Sequence, residues 1–234
     1  MDNSIGFFEN IWIKFTAFLK QFGIILLYLI LVTILQLYFL EDIHYGTLAI
    51  TNACYIAIEI ILLTVFILIF RKTIIPDFYD FKKNGKKYIL NNYIYWIIGL
   101  VVMVASNLII SSFIGLPSNE EANRTILEVL PVYSIISMII LAPIIEELMT
   151  RVILKDAFKN PFFYMLFSSI VFGSLHLITS INSNNLLEIL FIIPYGALGF
   201  AFAKIYSKSN NIWTNIFFHA LHNSIAILLL FIGG

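Results

Sequence analysis

Two adjacent glutamates and an arginine stand inside a long apolar run, Leu141-Ala-Pro-Ile-Ile-Glu146-Glu147-Leu-Met-Thr-Arg151. Farther on, Phe172 and His176 are spaced four apart, as are His219 and Asn223, again among apolar residues. On a helix, Glu147 and Arg151 share a face and can pair, while Glu146 is turned away by about 100° and keeps a role of its own. A carboxyl group in an apolar pocket is a usable general base or acid near neutral pH. His176 can share a water with Glu146. His219 and Asn223 offer an imidazole and an amide able to donate hydrogen bonds to a developing oxyanion. Glu146, His176 and His219 are also the parts of a two-histidine, one-carboxylate site for a divalent cation such as Zn2+. The sequence leaves open whether the water is metal-bound or metal-free.

The elements that must carry these residues are membrane helices. The chain is 60% hydrophobic and only 12% charged, with mean hydropathy +0.93, whereas soluble domains are about a quarter charged. A charge near the bilayer centre costs roughly 2.5–3.5 kcal/mol, so a buried trio needs partners and a reason. Net charge is zero, which implies no nucleic-acid surface. The single cysteine, Cys54, excludes an internal disulfide and any multi-cysteine metal site.

Hydropathy predicts an all-α polytopic bundle of about seven spanning helices, organised as one membrane domain over 1–234. An amphipathic lead-in occupies 1–20. Helices are expected over about 22–40, 48–70 and 88–114, from near Pro131, from near Pro161, and over 186–206 and 212–232. Each expected span meets the roughly 20-residue requirement for crossing about 30 Å of hydrocarbon. The first run is too long for a signal-peptide core and ends in Tyr38-Phe-Leu-Glu-Asp, so it reads as a retained helix. Residues 71–87 read as a basic connection and 115–128 as a polar loop.

With the N-terminus in the cytoplasm and the C-terminus outside, every one of the 14 lysines and arginines except Arg124 falls on the inner side. Depth then constrains the helix that starts at Pro131. If it continues to about Phe158, Glu146 is roughly 18 Å from its inner end, His176 roughly 24 Å from Asn160 and His219 roughly 17 Å from Lys208. All three then reach a similar depth, and Arg151 is intramembrane.

The ordered set Glu-Glu-x-x-x-Arg, Phe-x-x-x-His and His-x-x-x-Asn on successive hydrophobic helices resembles the CPBP family, the CAAX proteases and bacteriocin-processing enzymes also called Abi proteins. The resemblance covers about residues 131–226, a catalytic core over 129–226. It implies an intramembrane metallopeptidase in which Glu146 activates water with His176 as its partner. It implies Glu147 and Arg151 as supporting residues, and His219 and Asn223 holding the oxyanion or a metal. The family's substrates imply a membrane-associated peptide or protein as partner, besides the lipid bilayer. Its bacterial members are linked to peptide maturation and bacteriocin self-immunity. The Ile-, Asn- and Lys-rich composition fits a bacterial source.

Structural readings stand beside these. The charged trio can be a buried ion network, and each histidine or Asn223 an interhelical hydrogen bond. His222 follows His219 by three and faces nearly the same way; packing is its first reading. Glu59 sits mid-helix among isoleucines, where a carboxyl faces the bundle interior or is protonated; a structural role is its first reading and a functional one its second. The lysine cluster at 82–87 reads as an anionic-lipid and topology anchor. Pro194, Gly196 and Gly199 read as a bend or a place of close helix approach. The competing function is a catalytically silent regulator or immunity protein that binds a membrane partner through the same cavity. A proton-relay transporter ranks below it, because paired broken helices are not seen.

Overall fold

The computed structural model describes Gly23 and residues 48–155, 157–178 and 185–233. The lead-in and, but for Gly23, the helix expected over 22–40 lie outside the described residues. By compactness the chain falls into two units, residues 1–51 and 52–234. Described residues of the first are Gly23 and the opening of one long helix, all helical.

Among the described residues the protein is all-α, with no strand. Six helices follow in order: α1 (Leu48–Ile114), α2 (Ser118–Val129), α3 (Pro131–Lys155), α4 (Pro161–His176), α5 (Ile192–Ser209) and α6 (Ile212–Gly233). A 3₁₀ turn, Leu186–Phe191, leads into α5. Four helices are long and apolar enough to cross a membrane: α1, α3, α6, and α5 with its lead-in turn. The expected count of about seven therefore gives way, among the described residues, to these four and the shorter apolar α4.

The main correction is α1. Its backbone is helical through all 67 residues, including Pro76 and the expected connection at 71–87. One proline is a single lost donor, and the charged residues around it tie successive turns together. Asp80 accepts from Asn84 and from the Tyr88 hydroxyl, each at 2.7 Å. A straight helix of this length would measure about 100 Å, three times the hydrocarbon thickness. Several points along it touch the bundle. Asn52 and Glu59 bond the head of α3. Asp77 Oδ2 accepts from the Ile212 backbone N–H at 2.8 Å and caps the start of α6. Farther along, Trp96 packs on Phe218, and a Cβ built on Gly99 would lie 2.4 Å from that of Ala201. Only glycine permits that approach.

The loop expected over 115–128 is largely the amphipathic helix α2. Glu120 and Glu121 favour its first turn, and Arg124 pairs with Glu120 at 2.6 Å. Its Ser118 N–H and hydroxyl donate to Glu188 at 3.2 and 2.7 Å.

α3 departs from α geometry twice, in π turns at Ser137–Leu141 and Leu148–Val152, and stops at Lys155 rather than near 158. Asn160 caps α4 by accepting from the Phe162 N–H at 2.8 Å. α4 and α5 press together at Gly173 and Gly199. An added Cβ would stand 3.0 Å from Ile192 at the first and 3.0 Å from Phe172 at the second. The core beside the site is Phe172, Leu198, Phe202, Ile205 and Phe218.

Candidate active site

α3, α4 and α6 converge on one polar centre inside this apolar core. Glu147 and Arg151 are both fully buried. Arg151 Nε donates to Glu147 Oε2 at 2.9 Å, and the guanidinium also reaches the Ser168 hydroxyl. Ser168 donates onward to the Thr150 carbonyl at 2.6 Å. Phe172 and Phe202 lie under the guanidinium, 5.0 and 5.8 Å to their centroids. Asn215 Nδ2 donates to Glu147 Oε2 at 3.0 Å, and His219 Nδ1 stands 3.0 Å from Glu147 Oε1. The Glu147 carboxylate thus has a donor on each oxygen, which a buried charge requires.

Glu146 is different. Its Oε2 is buried and has no hydrogen-bond partner. His176 Nε2 and His219 Nε2 each stand 3.9 Å from that oxygen. The other nitrogen of each ring is already used. His176 closes α4, and its Nδ1 is 2.9 Å from the Phe172 carbonyl one turn back. A carbonyl only accepts, so Nδ1 carries the proton. The Glu147 carboxylate fixes His219 in the same tautomer. With Nδ1 engaged in each ring, it is Nε2 that both turn toward Glu146. Tyr195 stacks on His176 at 4.7 Å and Phe202 on His219 at 5.1 Å, which fixes the ring planes. Phe172 lies beside both imidazoles, 4.6 and 5.6 Å between centroids.

Of the residues singled out in the sequence, Glu146, Glu147, Arg151, His176 and His219 are brought together. Asn223 lies one turn along α6 from His219, and its amide donates to the Met138 carbonyl at 2.7 Å. His222 is part-buried within electrostatic reach of His176 and His219. Sequence reading did not single out Asn215, Ser168 or Tyr195 for the site. Asn215 had a signal: it precedes His219 by four and shares its face. Ser168 precedes Phe172 by four in the same way.

A tetrahedral divalent cation would set a spacing on these three donors. Ligands of a tetrahedral zinc at about 2.0–2.2 Å stand about 3.4 Å apart. The two nitrogen–oxygen separations here are 3.9 Å. Among the described residues no group of three His, Cys, Asp or Glu side chains is set to hold a metal ion as it stands. The ring tautomers are nevertheless those of metal-ligating histidines held from behind. A water at hydrogen-bond distance, about 2.8 Å, from both a ring nitrogen and Glu146 fits the gap with no rearrangement.

The family described as type II CAAX prenyl endopeptidase Rce1-like matches residues 128–225. Residues 128–225 are similar to that family. This Rce1-like segment contains all six site residues of the motifs and ends two residues after Asn223. "Putative membrane peptidase YdiL" of Bacillus subtilis (strain 168) is 30% identical over 158 residues, 63% of this chain. The chain spans about 60% of that relative's length. No solved structure matches the chain. Together with the apolar helices, these likenesses make the chain a membrane protein of peptidase resemblance, the CPBP resemblance carried by the three motifs.

Proposed function

We propose that the protein is an intramembrane endopeptidase that hydrolyses a peptide bond of a membrane-associated peptide or protein. The observation that carries this reading is the unpartnered, buried Glu146 Oε2, equidistant from two imidazole nitrogens. Such an atom needs a donor, and a water placed there is the donor. Glu146 takes a proton from that water as its oxygen attacks the substrate carbonyl carbon. His176, held by the Phe172 carbonyl and by Tyr195, accepts the water's other hydrogen and aims it. In this step His219 is doubly protonated, its Nδ1–H paired with Glu147 and its Nε2–H donating to the developing oxyanion, and Asn223 extends that wall. Collapse of the tetrahedral intermediate breaks the C–N bond, and Glu146 returns its proton to the leaving nitrogen. If a divalent cation is used, Glu146, His176 and His219 are its holders, and it would polarise the same carbonyl. No step above depends on it.

Orientation belongs to this reading too: N-terminus cytoplasmic, C-terminus on the opposite side, as the lysine and arginine distribution favours. The test compares peptide termini in membranes of cells carrying the wild type or Glu146→Ala at equal expression. Termini found with the wild type alone support the peptidase and name its substrate. Identical termini, with both strains still protected relative to a deletion, replace it with a binding or immunity role.

A further inference from the structure

The first π turn of α3 sets the face that the rest of the helix presents. A π turn holds one residue more than the α turn it replaces. Everything after Ser137–Leu141 is therefore rotated by about 100° relative to Tyr133. That rotation decides where Glu146, Glu147 and Arg151 point. π turns are rare and tend to sit at functional places, and this one is held from two sides.

On one side Asn223 of α6 donates to the carbonyl of Met138, inside the π turn. On the other stands Glu59 of α1, outside the Rce1-like segment. Its Oε1 accepts from the Ser137 hydroxyl and from the Tyr133 hydroxyl, each at 2.9 Å. Asn52, two turns earlier on the same helix, accepts the Tyr133 backbone N–H at 2.8 Å. Serines in helices commonly bond back to the carbonyl four residues earlier, as Ser134 does to Leu130 at 2.9 Å. Ser137, the first residue of the π turn, reaches across to Glu59 instead. Glu59 also lies within electrostatic reach of Glu146, so the clamp and the polar centre are neighbours.

We propose that Glu59 is a positioning residue: by taking the hydroxyls of Tyr133 and Ser137 it locks the first π turn and so sets the face on which Glu146 meets His176 and His219. What the lock requires is an acceptor on Oε1, not a charge. Glutamine supplies that acceptor, and its amide nitrogen takes the place of Oε2, which has no partner. The consequence for catalysis rests on the reading of the centre as hydrolytic; the consequence for helix register does not.

The experiment measures hydrogen exchange over residues 137–147 in the purified full chain, and the yield of wild-type-dependent termini in membranes. It uses the wild type, Glu59→Gln, Glu59→Ala and Ser137→Ala. Glu59→Ala is expected to speed exchange in that segment at least tenfold and to cut the yield of termini at least tenfold. Glu59→Gln stays within twofold of the wild type in both. Ser137→Ala, which removes one of the two hydroxyls and keeps the proposal testable if Glu59→Ala does not fold, moves both readouts at least threefold in the same direction. The proposal is overturned if Glu59→Ala or Ser137→Ala exchanges like the wild type, or if Glu59→Gln is as damaged as Glu59→Ala. Faster exchange in a protein whose wild type yields no termini would sink the peptidase reading and leave the register lock standing.

Discussion

Glu147 Oε1 and His219 Nδ1 stand 3.0 Å apart, in one of the contacts that join α3 to α6. The same carboxylate holds Arg151 and Asn215. Glu147 therefore serves the core and the chemistry at once, whereas the Oε2 of its neighbour Glu146 has no hydrogen-bond partner. The two adjacent glutamates should separate cleanly under mutation.

Glu147→Ala strands a fully buried Arg151. Breaking one side of a buried pair costs about 3–5 kcal/mol. Thermal unfolding of the purified protein in detergent should show a large drop in midpoint, or no folded protein at all. A midpoint matching the wild type would mean that the Arg151 contacts to Ser168 and the two aromatic rings suffice by themselves.

Glu146→Gln keeps volume and polarity but removes the base. Its unfolding midpoint should match the wild type, while the yield of cleaved termini falls by about 10²–10⁴, the usual contribution of a positioned base. Retained cleavage would remove Glu146 from the mechanism.

Chelation reads the metal question without mutation. With nitrogen–oxygen separations of 3.9 Å, the water-bridged arrangement predicts that cleavage survives dialysis against a strong chelator. Loss of cleavage, restored by Zn2+ alone, would mean that the three side chains draw together on a cation in the working enzyme.

Gly99→Leu forces a side chain into the Ala201 methyl group, where even a Cβ would stand at 2.4 Å. Overpacking of this kind costs about 1–3 kcal/mol. The expected result is a lower unfolding midpoint; an unchanged midpoint would show that α1 can retreat from α5 at no cost. Gly196→Ala is the matched control, since its nearest neighbour would be an ordinary 3.6 Å away.

Much of the centre was legible because chemistry in an apolar run has few innocent explanations. The i, i+4 spacing gave the Glu147–Arg151 pair, and equal depth brought Glu146, His176 and His219 together. What escaped the sequence has physical causes. π turns leave no mark in periodicity, because one inserted residue looks like ordinary helical scatter. Ser168 and Tyr195 are common types in membrane helices, and only the fold shows that one bonds Arg151 and the other stacks on His176. The continuous α1 escaped because a basic, proline-bearing stretch reads as a break, and here Asp80, Asn84 and Tyr88 tie successive turns together. The helix α2 escaped because a polar segment of 12 residues has no apolar run to announce it.

α4 is only 16 residues long, about 24 Å against roughly 30 Å of hydrocarbon. A helix too short for its bilayer makes the lipid thin around it or lets polar material in. On the proposed reading the short α4 would bring water to the depth of Glu146 from the end that His176 closes, and cleavage would then depend on lipid thickness as much as on protein.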